Sequence, residues 1–154
     1  MKKILLVLPV LLIATAVLAS QTPFYAELRT VSSGELECER PVLLAGNSGN
    51  MMLRDCTQEL IMEGDINGDV TFNMNMNIFA LGGDDNGPSD GTVHIKSLIS
   101  SDEQTYTMNI NGRIVNSEIK GNFVIAENKR TIAIGKITGR VDEDPVVLIG
   151  KFVK

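Results

Sequence analysis

Thr71-Phe72-Asn73-Met74-Asn75-Met76-Asn77-Ile78 alternates without a break, with Phe72, Met74, Met76 and Ile78 on one side and Asn73, Asn75 and Asn77 on the other. A period of two sends successive side chains to opposite faces of an extended chain, so this segment reads as a strand with one apolar and one polar face. Tyr106, Met108 and Ile110 against Thr105, Thr107, Asn109 and Asn111 repeat the pattern, as do Ile119, Phe123 and Ile125 against Lys120 and Asn122. Beyond residue 20 no segment sustains a helical period, and Gly, Asn and Thr are frequent where a helix would need Ala or Leu. The expected class is all-β.

Turn residues at Asn116-Ser117, Asn128-Lys129 and Asp142 to Pro145 cut the C-terminal half into a meander of four strands, about 104–115, 118–127, 131–141 and 146–153. Upstream, strands are expected near 24–31, 35–39, 51–63, 66–80 and 92–100, for a total of about eight to ten. Asn67-Gly68 reads as a type I′ hairpin turn. A turn at Asn116-Ser117 sets Gly112 opposite Gly121, and a turn at Asn128-Lys129 sets Gly135 opposite Asn122, so a line of glycines crosses three strands. Such a line marks sharp bending, which lets an antiparallel meander coil into a barrel, with a β-sandwich as the alternative. The apolar phase of Thr131 to Val141 switches midway, and a bulge near Gly135-Lys136 would account for it. The last strand, Val146 to Val153, is apolar on both faces and is expected to be covered on both.

The chain begins with Met1-Lys2-Lys3 and an apolar run from Ile4 to Leu18 that ends in small residues. This is the layout of a secretory signal peptide over residues 1–20, leaving 21–154 as a single all-β domain in the periplasm or outside the cell. The run falls short of the ~20 apolar residues that span a bilayer, so no stable membrane anchor is expected. Removing Lys2 and Lys3 from the 14 basic residues leaves 12 against 19 acidic ones, so the mature net charge is −7. That balance points away from nucleic acid, whose phosphates require a basic footprint. A transmembrane barrel is disfavoured because the chain has no Trp and few aromatic residues for two interfacial girdles.

Cys38 and Cys56 are the only cysteines. An even pair in an exported chain reads as one structural disulfide, since redox pairs usually lie two residues apart and a metal site would need more ligands. His94 is the only histidine and shares a face with Lys96, the expected solvent face; no Gly-x-Ser-x-Gly elbow offers a nucleophile for it. The loop 82–91 carries Asp84, Asp85 and Asp90, weak candidates for calcium because their spacing departs from the EF-hand pattern. No cofactor is implied. Met62, Met74, Met76 and Met108, with Tyr106, fall on inward-facing positions and are the candidate lining of an adaptable apolar cavity.

These features leave three readings. In the first, an exported barrel acts without catalysis by binding an apolar small ligand or a protein partner. The second is a surface-interaction or inhibitor module working through a loop or a sheet edge. The third, an enzyme using carboxylates inside the barrel, requires at least two inward Asp or Glu side chains. The thin catalytic inventory places catalysis behind binding.

Overall fold

The computed structural model describes residues 21–31, 36–43, 51–80, 89–140 and 143–154. The signal peptide expected at 1–20 lies outside them. Nine strands follow in order: β1 (Pro23–Thr30), β2 (Glu37–Leu43), β3 (Met51–Gly64), β4 (Gly68–Ala80), β5 (Ser89–Ser100), β6 (Thr105–Val115), β7 (Glu118–Glu127), β8 (Arg130–Arg140) and β9 (Val146–Phe152). Each coincides with an expected strand to within a few residues, because alternation and turn chemistry are both local signals.

From β3 to β9 each strand pairs antiparallel with the next, and β1 joins β9 to β3, closing a ring of eight. β2 is the ninth strand. It pairs with Met51 to Thr57 of β3, while β1 pairs with Leu60 to Gly64 on the same edge. One edge of a long strand therefore serves two short ones in succession. Following hydrogen-bonded neighbours from Leu53 through Met76, Val93, Gly112, Gly121, Ile137, Leu148 and Ala26 returns to β3 at Gly64, 11 residues along from Leu53. A stagger of this size is the shear that lets tilted strands close on themselves.

The turns divide into expected and corrected ones. Asn116 and Ser117 have φ of 51° and 65°, and Asn128 and Lys129 have 48° and 68°. Two successive positive φ values are the type I′ signature, whose twist matches that of the flanking strands. Asn67-Gly68 is different: neither residue has a positive φ, and Met62 already pairs with Gly68. Instead the Asn67 side chain accepts from Gly64 N (2.9 Å) and donates to Gly64 O (3.1 Å), holding a longer loop in which Ile66 is buried.

Register also corrects the glycine alignment. Gly112 does face Gly121, but a bulge between Ile125 and Ala126 shifts β8 by one residue, so Gly135 faces Phe123 and also pairs with Gly150. The bulge sits near Ile132, not at Gly135-Lys136. It places Ala133, Gly135 and Ile137 on the inner face and turns Ile134 outward. Two glycine pairs thus lie at inward positions of four consecutive strands. A Cβ on Gly121 would collide with Asn111 O and would lie 2.6 Å from Gly112 Cα. At Gly135 the space is already filled by Phe123, whose Cε1 would be 2.7 Å from the added atom.

Inside the ring the core is continuous and apolar, built from Phe24, Met62, Val70, Ile99, Met108, Ile110, Phe123, Ile125, Ile137 and Leu148 among others. Phe24 packs against Phe123 at 5.4 Å between centroids and against Phe152 at 5.3 Å. The outer faces of β4 to β7 are mostly Asn, Thr, Lys and Arg, with Phe79, Leu98, Val115 and Val124 exposed among them. Apolar inside and polar outside is the inverse of a lipid-spanning barrel. β9 departs from expectation on its outer side: Ile149 is 56% exposed, beside Tyr25 of β1 at 44%.

Outside the closing seam, Glu27 and Glu63 face each other directly, an arrangement that repels. Arg29 answers it, reaching Glu27 Oε2 at 2.5 Å and Glu63 Oε2 at 3.2 Å. Hydrogen bonds from Tyr25 first, and then from Arg29, hold the Glu27 carboxyl below its ordinary pKa, while the same bond raises the Tyr25 phenol.

Two outcomes test this account. Gly121→Val should destabilise by at least about 2 kcal/mol in urea unfolding, because overpacking against backbone outweighs the gain in β-propensity. Glu27 has a depressed folded pKa, so its contribution is full above the ordinary carboxylate range and is lost as pH falls through that depressed value. Glu27→Gln should therefore lower the melting midpoint at neutral pH, and the difference from the wild type should shrink on acidification.

Candidate functional site

The barrel is filled at one end and hollow at the other. A cavity of about 230 Å³ opens inside the ring, with Phe72, Met74 and Met76 of β4, Val93 and Ile95 of β5, Ile119 of β7 and Ile137 of β8 in its wall. Leu28 of β1 and Gln58 and Leu60 of β3 complete it. Alternation places every one of these side chains inward. The glycines contribute by what they lack: Gly112 and Gly121 occupy inward positions between Val93 and Ile137 in one cross-strand row, so two adjacent strands project nothing there.

Apart from Gln58 in the wall, polar groups gather at the mouth. Asp144 Oδ2 accepts from Thr30 N at 3.1 Å and Oδ1 from Thr30 Oγ1 at 2.9 Å, tying the segment before β9 to the end of β1. Arg140 Nε meets Glu143 Oε1 at 3.0 Å across the same rim. Leu36, 41% exposed, adds an apolar lip. Such a site can hold an apolar body with its polar end at the rim.

The five residues expected to line a cavity separate. Met74 and Met76 are in its wall. Met62, Met108 and Tyr106 are buried in the packed interior outside it, where Gln104 Nε2 donates to the Tyr106 hydroxyl. Wall residues that the methionine pattern did not signal include Val93, Ile95, Ile119 and Ile137. Each is inward by parity, but only the closed register brings them to one end.

Cys38 and Cys56 face each other across β2 and β3 and are joined by a disulfide. It ties the ninth strand to the edge of β3 just beyond the point where β1 ends its pairing. A disulfide is at home in an oxidising compartment. His94 is exposed on the outer face, with Nδ1 hydrogen-bonded to Asn111 Oδ1 at 2.6 Å.

Of the calcium candidates, Asp84 and Asp85 lie outside the described residues, and Asp90 Oδ1 accepts from Asn116 N at 2.7 Å. Among the described residues no three His, Cys, Asp or Glu side chains converge on a point that could hold a metal ion. The only buried polar residue among them is Ser97, whose Oγ donates to Met108 O at 3.2 Å. The inward carboxylate pair that an enzyme of the third kind needs is not found among the described residues; Glu143 and Asp144 lie on the rim, engaged with Arg140 and Thr30.

Fold and cavity define the class: a closed eight-strand antiparallel meander barrel with an appended, disulfide-tethered ninth strand. No protein-family model matches the chain, and no curated protein or solved structure matches it.

The tether has a measurable weight. Its cysteines are 18 residues apart, so removing the link through Cys38→Ala and Cys56→Ala should cost about 3 kcal/mol in the chain-entropy account. The comparison is urea unfolding of the double variant against the oxidised protein.

Proposed function

We propose that this protein is exported and acts without catalysis, holding an apolar small molecule in the open end of its barrel. The observation that supports this reading is the cavity itself, whose wall is apolar apart from Gln58 and whose other polar groups lie at the rim. Its volume is below the ~300–1,000 Å³ of pockets for drug-sized ligands, which favours a short acyl segment or a single ring. Met74 and Met76 suit such a role, because unbranched thioether side chains adapt to differing shapes. Export accords with the apolar N-terminal run and with the disulfide.

The experiment uses octanol and decanoate as probes, followed by native mass spectrometry and by titration. Binding of one molecule per chain is expected. Met74→Trp should fill the space and weaken binding at least ~10-fold, equivalent to about 1.4 kcal/mol, with the melting transition kept; Met76→Trp serves if the first variant fails to fold. Absence of binding to the wild type, or binding unchanged in a folded Trp variant, would exclude the cavity as the site.

A further inference from the structure

Outside the barrel the charges are not mixed evenly. The chain as a whole is acidic, at −5, yet β5 to β8 carry Lys96, Arg113, Lys120, Arg130, Lys136 and Arg140 against only Asp90, Glu118 and Glu127. Those three acids sit within two residues of a strand end, as do Arg113, Lys120, Arg130 and Arg140, while Lys96 and Lys136 lie mid-strand, so cations outnumber acids across these four strands. The register then brings cations together. Arg113 is directly opposite Lys120, and the adjoining cross-strand row carries His94, Asn111, Asn122 and Lys136.

Like charges placed opposite each other on neighbouring strands destabilise a sheet. At the seam the same problem between Glu27 and Glu63 is answered by Arg29, which contacts both. Between Arg113 and Lys120 there is no such bridge. Lys120 reaches Glu118 at 2.7 Å, and Arg113 has no ion-pair partner among the described residues. The two flank a shallow groove running over the Gly112 and Gly121 backbones, which Thr92, Asn111, Asn122 and Thr138 also line.

We infer that this groove is a docking site for an acidic polysaccharide, a chain bearing carboxylate or sulfate groups. Charge complementarity supplies the attraction, and release of counterions from a polyanion adds to it. Amides and hydroxyls between the cations offer both donors and acceptors to sugar hydroxyls. Adjacent strands are ~4.8 Å apart, close to the advance of one sugar along a glycan, so a chain crossing the strands presents about one residue to each. Recognition by charge also removes the need for the aromatic platform that neutral sugars and nucleobases stack on, and no Phe, Tyr or Trp lines this groove.

The test measures binding of dextran sulfate and polygalacturonate, with neutral dextran as control, over a range of salt. Binding of the charged polymers alone is expected, weakening as salt rises. Arg113→Gln with Lys136→Gln should weaken it about tenfold or more and reduce the salt slope by about two, as lost ionic contacts do. Arg113→Lys should retain most of it. Lys129→Gln with Arg130→Gln removes equal charge from the β7–β8 turn and should change binding less than ~2-fold. Melting curves of all variants show that each is folded, with the Arg113 variant unchanged or more stable. No binding, equal loss in the turn variant, or tighter binding of single-stranded DNA or phosphatidylglycerol vesicles than of the acidic glycans would overturn the assignment. None of these outcomes bears on the interior cavity, which is probed separately.

Discussion

The structure depends on the two ladders of backbone hydrogen bonds that hold β1 between β9 and β3. Without them the meander from β3 to β9 would be an open sheet with two edges and one apolar face in water. Closing the ring removes both edges and encloses the apolar face in a single step. The sequence distance spanned is large, because β1 must meet β9 from the far end of the chain. The seam is reinforced from outside by Arg29 between Glu27 and Glu63, and at the loop by Asp65, whose Oδ2 accepts from Tyr25 N and whose own N–H donates to Tyr25 O. Both additions act on β1, the strand whose loss would open the barrel.

Curvature follows from closure and has two consequences at once. Glycine at inward positions of β6 to β9 allows adjacent backbones to approach, and at Gly121, Gly135 and Gly150 any side chain would collide. On β8 and β9 the vacated interior is taken up by Phe123, packed against Phe24. On β6 and β7 no aromatic residue fills the equivalent row, and the barrel stays hollow beside it. The same bending element thus yields a solid end and an open end. On the outer side, the same glycine backbones form the floor of the basic groove, so the cavity and the groove lie on opposite faces of one stretch of sheet.

Much of this was readable residue by residue. The Asn-Met alternation of β4, the type I′ turns at Asn116-Ser117 and Asn128-Lys129, and the pairing of Gly112 with Gly121 all depend on neighbours within one hairpin. Where local reading missed, a distant partner decided. The phase switch within β8 signalled a bulge, but its place near Ile132, which turns Ile134 outward, is set by pairing with β7. Asn67 closes its loop through its side chain and not through backbone dihedrals. The apolar outer face of β9 looked as though it needed cover, but closure left Ile149 and Tyr25 side by side at the surface. Parity made Met62, Met74, Met76 and Met108 equivalent as inward residues, and only their position relative to the filled end separates wall from core.

The sequence by itself determined the strands, the faces of those without a bulge, the meander order and the plausibility of a cysteine staple, because each is set by alternation, turn residues or composition over short spans. The tertiary structure alone decided that β1 closes the ring, that the stagger leaves space at one end, and that cations from four strands share one face. These are properties of register, which relates residues far apart in the chain. A shift of one residue turns every side chain of a strand to the other face, and no segment read alone contains that information.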